Sequence, residues 1–233
     1  MSLKAVLFDF NGVIINDEPI HKRLIKEILI SENVTGLKPG EFEKVCLGRG
    51  DRVCLQELLN SRGRVIHEEY VTQLVAKKAE LYIQELEKLD KLPLFSGVDD
   101  LIFQIRSKDL KLGLVSGAIR QEIELVLERA KLRDYFPVII AGDDITTSKP
   151  EPDGYRFAVQ SLNQQYPDLN LLPNQCLAIE DTPAGIQAAK RAGMQVLGVA
   201  NTYPFHMLQR QANWTVDYLS DLELERVMEI FST

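Results

Sequence analysis

The chain is poor in the residues that cross-link small domains or anchor them in membranes. Cysteine occurs three times in 233 residues, as Cys46, Cys54 and Cys176, an odd number without metal-ligand spacing. That pattern excludes a disulfide framework or a cysteine zinc site, and the three read as reduced thiols in a cytoplasmic protein. No apolar run is long enough to cross a bilayer, and the N-terminus lacks the apolar stretch of a signal peptide. Positive charge is also short, with 27 Lys and Arg against 34 Asp and Glu, a net charge of −7. This disfavours nucleic acid and anionic membrane surfaces as partners. It leaves open a small phosphorylated metabolite, because cations local to a site decide that affinity. Repeats and low-complexity tracts are absent from the sequence.

What is present is a βα pattern interrupted once. Lys4–Phe8 is an apolar strand that ends at Asp9, and Gly12 opens a turn. Helical text follows. Asp17-Glu18-Pro19 reads as a helix start, and Ile20, Leu24, Ile28 and Leu29 form a stripe. A long helix carries Val71, Leu74, Val75, Tyr82, Leu86 and Leu89 on one face. Residues 16–91 are therefore expected to be an all-helical insert. After Pro93, strands at Leu110–Val115, Val138–Ala141, Cys176–Ile179 and Val196–Val199 alternate with helices, and Trp214–Val216 is a short edge strand. The fold class is α/β, a Rossmann-like parallel sheet with helices on both faces. Its core is expected to comprise 1–15 and 92–233, with the insert above the sheet as a cap.

The carboxyl ends of parallel strands are where such folds bind ligands. Four polar groups fall there: Asp9 with Asn11, Ser116 with Gly117, Lys149, and Glu180 with Asp181. Asp9 suits a carboxylate nucleophile. Glu180 and Asp181, with Asp9, supply hard oxygen ligands for Mg²⁺. Ser116 and the turn N–H groups at Gly117 suit phosphate oxygens, and Lys149 adds a positive charge.

The segments LFDFNGVIINDEPIH, LGLVSGAIRQEI, SKPEPDGYRFA and AIEDTPAGIQAAKRAGM together resemble the haloacid dehalogenase (HAD) superfamily, in its β-phosphoglucomutase-like branch of phosphatases with a helical cap. The resemblance covers nearly the whole chain. It implies a Mg²⁺-dependent phosphohydrolase working through an aspartyl phosphate. Asp9 would be the nucleophile. Asp9, the Asn11 carbonyl and Asp181 would be metal ligands, with Glu180 holding a metal-bound water. Ser116 and Lys149 would bind the transferring group. A phosphomutase is the alternative enzyme. A dehalogenase fits less well, because it needs no Mg²⁺ and leaves Glu180 and Asp181 without a task. The molecule is expected to be a monomer or a weak homo-oligomer.

Asn11 departs from the family pattern, which has an acid–base Asp there. An amide has no titratable proton in this range. Three accounts fit: a slowed hydrolase, a ligand-binding or regulatory relative, or an Asp→Asn change made to trap a complex. On this reading, restoring Asp at position 11 would speed alkyl phosphates. His21 lies near the hinge and either takes part of the lost role or packs structurally. Arg49 and Arg52, in a Gly-flanked turn, are candidate substrate ligands or a solvated turn. Lys78 interrupts an apolar face and either points into the cleft or reaches sideways to solvent. Arg120 is a candidate for the cap–core boundary.

Overall fold

The computed structural model describes residues 2–232. Its sheet has six parallel strands: β1 (Ala5–Phe8), β2 (Lys111–Val115), β3 (Val138–Ile140), β4 (Cys176–Glu180), β5 (Gln195–Val199) and β6 (Trp214–Val216). Their order is β3-β2-β1-β4-β5-β6. Strand β1 is central, with Phe8 opposite both Leu114 and Ile179. The two halves of the sheet run outward from β1 and β4, so the strand ends there border the crevice where the connections diverge. The β1 residues are wholly buried, as a parallel strand covered on both faces must be.

Helices α1 (Glu18–Ser31), α2 (Glu41–Val45), α3 (Asp51–Asn60) and α4 (Glu68–Glu87) lie between β1 and β2 in the chain. They share an apolar cluster of Ile25, Ile28, Leu29, Phe42, Leu55, Leu58, Leu59 and Leu74. The remaining helices are α5 (Val98–Ser107), α6 (Arg120–Arg129), α7 (Asp153–Gln165), α8 (Pro183–Arg191), α9 (Phe205–Leu208) and α10 (Leu224–Ser232). The two chain segments that join the insert to the sheet run side by side. Asn16 N–H donates to Pro93 O at 2.8 Å and Phe95 N–H to Ile14 O at 3.0 Å.

Two expectations need correction. Cys46 and Cys54 are joined as a disulfide, and only Cys176 is a free thiol among the described residues. Cys46 caps the end of α2 and Cys54 lies on the first turn of α3. The turn between folds the helices back until the Cα atoms are 4.8 Å apart. An odd cysteine count conceals such a local pair. Arg120 does not reach the insert. It binds Asp144 at 2.5 Å and Ile139 O at 2.9 Å within the sheet region.

Lys78 is fully buried on α4 and bridges the two parts of the molecule. Its Nζ lies 2.6 Å from Asp51 of α3 and 3.2 Å from Glu122 of α6. Burial works to discharge it, but the two carboxylates prevail and hold its pKa above the ordinary value. It therefore neither reaches solvent nor lines the cleft. Removing one partner of a buried pair strands the others without compensation, at a cost of about 3–5 kcal/mol. Lys78→Ala is expected to lower unfolding stability by that order in urea titrations. A variant as stable as the parent would mean that the three charges are solvated.

Candidate active site

The first strand delivers Asp9 into the crevice, and its backbone N–H bonds Ile179 O of β4 at 2.9 Å. The chain then turns at Gly12, whose φ is +80°. A side chain there would collide with Asp181, its Cβ falling 1.8 Å from Oδ2, so only glycine lets the turn approach this carboxylate. Asn201, after β5, supports the turn by donating to Gly12 O at 2.8 Å.

Asp9, Glu180 and Asp181 are all buried, and each offers a carboxylate oxygen within 4.8 Å of the others. Lys149 is the cation among them, 2.8 Å from Asp9 and 2.6 Å from Glu180. Burial opposes its charge, but the two carboxylates raise its pKa. Tyr155 donates to Glu180 at 2.5 Å. Burial, then the nearby Asp9 charge, pushes Glu180 up to about 8. Burial together with Asp9 and Glu180 raises Asp181 well above the carboxylate range. Both oxygens of Asp181 and Oε2 of Glu180 are buried without a hydrogen-bond partner. The Thr202 hydroxyl lies near enough to favour the charged form of Asp181 but makes no well-formed bond to it. Three crowded carboxylates with orphaned oxygens could hold a hard divalent cation.

Asp9, Asn11, Glu18, His21, Arg49, Gly117 and Lys149 line one cleft between the sheet and the insert. Ser116 is buried beside it, in an adjoining hollow that shares Gly117 and Lys149, and its Oγ accepts from Ala118 N–H at 3.0 Å. Arg52 borders the adjoining hollow, with its guanidinium on Glu68 at 2.5 Å. Arg49 is occupied by Glu57 through two bonds of 2.8 Å. The turn carrying these arginines rests directly on the sheet. Gly50 N–H donates to Ser148 Oγ at 2.8 Å, and a Cβ on Gly117 would fall 2.9 Å from Gly50 N.

Asn11 is held by Asp17, whose place in the sequence is that of a helix-terminal acid. Its Nδ2 lies 2.9 and 3.1 Å from the two oxygens of Asp17. Asp17 is fully buried, and it also accepts from Tyr82 and binds His21 Nε2 at 3.1 Å. Burial works against its charge, but His21 and these hydrogen bonds win, and its pKa is lowered. Burial and Lys78 oppose a charge on His21, yet Asp17 raises its pKa, and the ring stacks on Tyr82 at 4.7 Å. An Asp at position 11 would bring a second carboxylate against Asp17, where two like charges in contact cannot both ionise. The gain expected from restoring Asp is thus opposed by Asp17.

The model for the family described as haloacid dehalogenase-like hydrolase matches residues 6–199, and the chain belongs to that family. It is 29% identical to β-phosphoglucomutase of Bacillus subtilis, over 97% of this chain and 95% of that one. It is 25% identical to the phosphorylated carbohydrates phosphatase of Thermotoga maritima, over 86% and 87%. The crystal structure of a HAD hydrolase of family IA, variant 3, from Entamoeba histolytica superposes with a TM-score of 0.84 at 25% identity, covering 99% of this chain and all of the other. The molecule is accordingly a HAD-like enzyme of the phosphoric monoester hydrolase type.

The Asn11–Asp17 contact can be measured by a double-mutant cycle. Asn11→Asp alone is expected to destabilise the protein, and Asp17→Asn added to it should recover part of the loss. The coupling should be roughly 0.5–3 kcal/mol, the range for residues in one polar network. Strictly additive effects would remove Asp17 as the partner of residue 11.

Proposed function

We propose that the chain hydrolyses a small phosphorylated metabolite, with a sugar phosphate as the favoured class, through an aspartyl phosphate on Asp9 and with Mg²⁺ as cofactor. The observation that carries this reading is the buried Asp9–Glu180–Asp181 cluster, with orphaned oxygens beside one lysine, at the switch point of a parallel sheet. Asp9, Asp181 and the Asn11 carbonyl would hold the ion, with Glu180 behind a bound water. When bound, it would offset the repulsion between an anionic nucleophile and an anionic phosphate. Lys149, 2.8 Å from Asp9, orients it for attack on phosphorus. Ser116 and the Gly117 turn bind phosphoryl oxygens. The helical insert closes over the substrate as a cap, and its Arg49–Arg52 turn meets the non-phosphate part, with Arg49 exchanging Glu57 for substrate oxygens. The names of the relatives support a sugar phosphate.

A mutase reading is disfavoured by Asn11, because two hydroxyls must then be managed without an acid–base group at that position. Asp17 supports Asn11 as a residue built into the chain, since it is fitted to an amide donor there.

Two measurements test the reading. Asp181→Ala should lose most Mg²⁺ affinity in calorimetry while its circular dichroism stays unchanged, and undiminished binding would sink the metal assignment. Phosphate release from a panel of phosphorylated sugars and short alcohol phosphates should require Mg²⁺ and vanish in Asp9→Ala. Full activity in that variant would remove the aspartyl phosphate. If no panel member turned over, a binding protein on an enzyme fold would be favoured.

A further inference from the structure

We propose that Glu18, rather than residue 11, is the proton-transfer group of this hydrolase, a role that rests on the phosphatase reading above. Glu18 is the first residue of α1 and lines the cleft with Asp9, Asn11 and Lys149. The other charged groups of that cleft are committed. Lys149 is held by Asp9 and Glu180, Asp51 by Lys78, Arg49 by Glu57 and His21 by Asp17. Asn11 has no titratable proton in this range, and its amide lies against Asp17 and His21. Among the described residues, no hydrogen bond or ion pair ties the Glu18 carboxyl to a partner, and none joins it to Asp9, Glu180 or Asp181. It is thus an untied carboxyl facing the nucleophile's cleft. Pro19, the next residue, stiffens the backbone of the turn that carries it.

The charges around Glu18 come from several elements. Asp17 and His21 belong to its own segment, Asp9 ends β1, Lys78 is on α4, Asp181 follows β4, and Tyr203 follows β5. Lys149, Arg49 and Asp51 share its cleft. Burial is the largest influence and pushes the carboxyl up to about 7. His21 and Lys78 pull it down, while Asp17 and Asp9 push it up. A carboxyl that gains and loses a proton near neutrality suits both halves of the reaction.

In the first half, an Asp9 oxygen bonds to phosphorus as the ester P–O bond breaks. The departing alkoxide takes the proton of the Glu18 carboxyl and leaves as the alcohol. In the second half, water attacks phosphorus and surrenders a proton to the Glu18 carboxylate. The aspartyl–phosphate bond breaks, phosphate departs, and both carboxyls return to their starting states.

The test compares the intact protein with Glu18→Gln and Glu18→Asp, using an alkyl phosphate found active in the panel and a nitrophenyl phosphate, with Mg²⁺. The isosteric amide keeps size and loses the proton. Glu18→Gln should lower kcat on the alkyl ester on the order of 10²-fold or more, the low end for acid–base catalysis. Its single-turnover transfer from the nitrophenyl ester should fall far less, because that leaving group needs no proton. The alkaline limb of the kcat/KM profile on the alkyl ester should disappear in Glu18→Gln, and Glu18→Asp should retain part of the rate. Equal losses on both esters, or a change confined to KM, would make Glu18 a binding group and overturn the proposal. So would an unchanged rate. If the alkyl ester turns over and Asp9→Ala abolishes it while Glu18→Gln does not matter, only this assignment fails. Turnover that survives Asp9→Ala, or none in the parent protein, overturns the underlying reading and this assignment with it. Matched melting temperatures of the variants exclude unfolding as the cause.

Discussion

The crowding of three buried carboxylates at the ends of β1 and β4 is the constraint around which the site is arranged. Oxygens of Asp9, Glu180 and Asp181 lie within 4.8 Å of one another. Each like-charged pair at that distance costs roughly 3–4 kcal/mol at an effective dielectric near 20. Lys149 offsets part of this by contacting Asp9 and Glu180, and it leaves Asp181 without a cation. Burial first, and the remaining repulsion after it, raises the proton affinity of Glu180 and Asp181. A divalent cation held there would remove both the repulsion and the orphaned oxygens. The close approach at Gly12 and the small side of Gly185, where a Cβ would fall 1.9 Å from Glu180, show that the backbone is shaped to hold these acids in place.

A second polar system seats the helical insert on the sheet. Lys78, Asp51 and Glu122 join α4, α3 and α6. Asp17 gathers Asn11, His21 and Tyr82 at the root of α1. Lys78, Glu122 and Asp17 are buried while Asp51 and Asn11 are half-buried, and of the two systems only Glu122 keeps a buried oxygen, Oε2, without a partner. Moving the insert away from the sheet would expose or unpair their members. The geometry around Asn11 and the fit of the insert are therefore parts of a single arrangement.

Much of this was legible in the sequence, for physical reasons that also set the limits. Strand ends at Asp9 and Asp181 could be read because buried parallel strands are continuous apolar runs that stop at polar residues. The α1 start could be read from Asp17, Glu18 and Pro19, and Trp214–Val216 pairs as the edge strand. Helices α2 and α9 are only five and four residues long, too short for a periodic signal. Helix α5 buries Val98, Leu101, Ile102 and Ile105, a regular stripe whose signal was available. The Lys78 ion triad was not readable, because Asp51 and Glu122 are 27 and 44 residues from it. Nor was the partnership of Asn11 with Asp17, since a helix-terminal acid looks the same whether it faces water or an amide. The Cys46–Cys54 bridge depended on the turn between α2 and α3, which eight residues of sequence separation did not reveal.

Placing the proton-transfer group on α1 changes what the insert does. A carboxyl at position 11 would travel with the nucleophile's own strand and turn, whatever the insert was doing. Glu18 instead belongs to the first helix of the insert, beyond the paired segments at Asn16 and Pro93. Its distance from a substrate on Asp9 is set by how that helix sits. Burial, the largest influence on its proton affinity, depends on the same contact. Opening the insert would both withdraw the carboxyl and hydrate it, returning it toward an ordinary glutamate that is ionised at neutral pH. Closure would restore both position and proton. A substrate able to hold the insert down would be protonated as its ester bond breaks. A phosphate too small to bridge the two parts would meet a nucleophile without an acid, which makes selection between substrates a property of proton delivery as well as of binding.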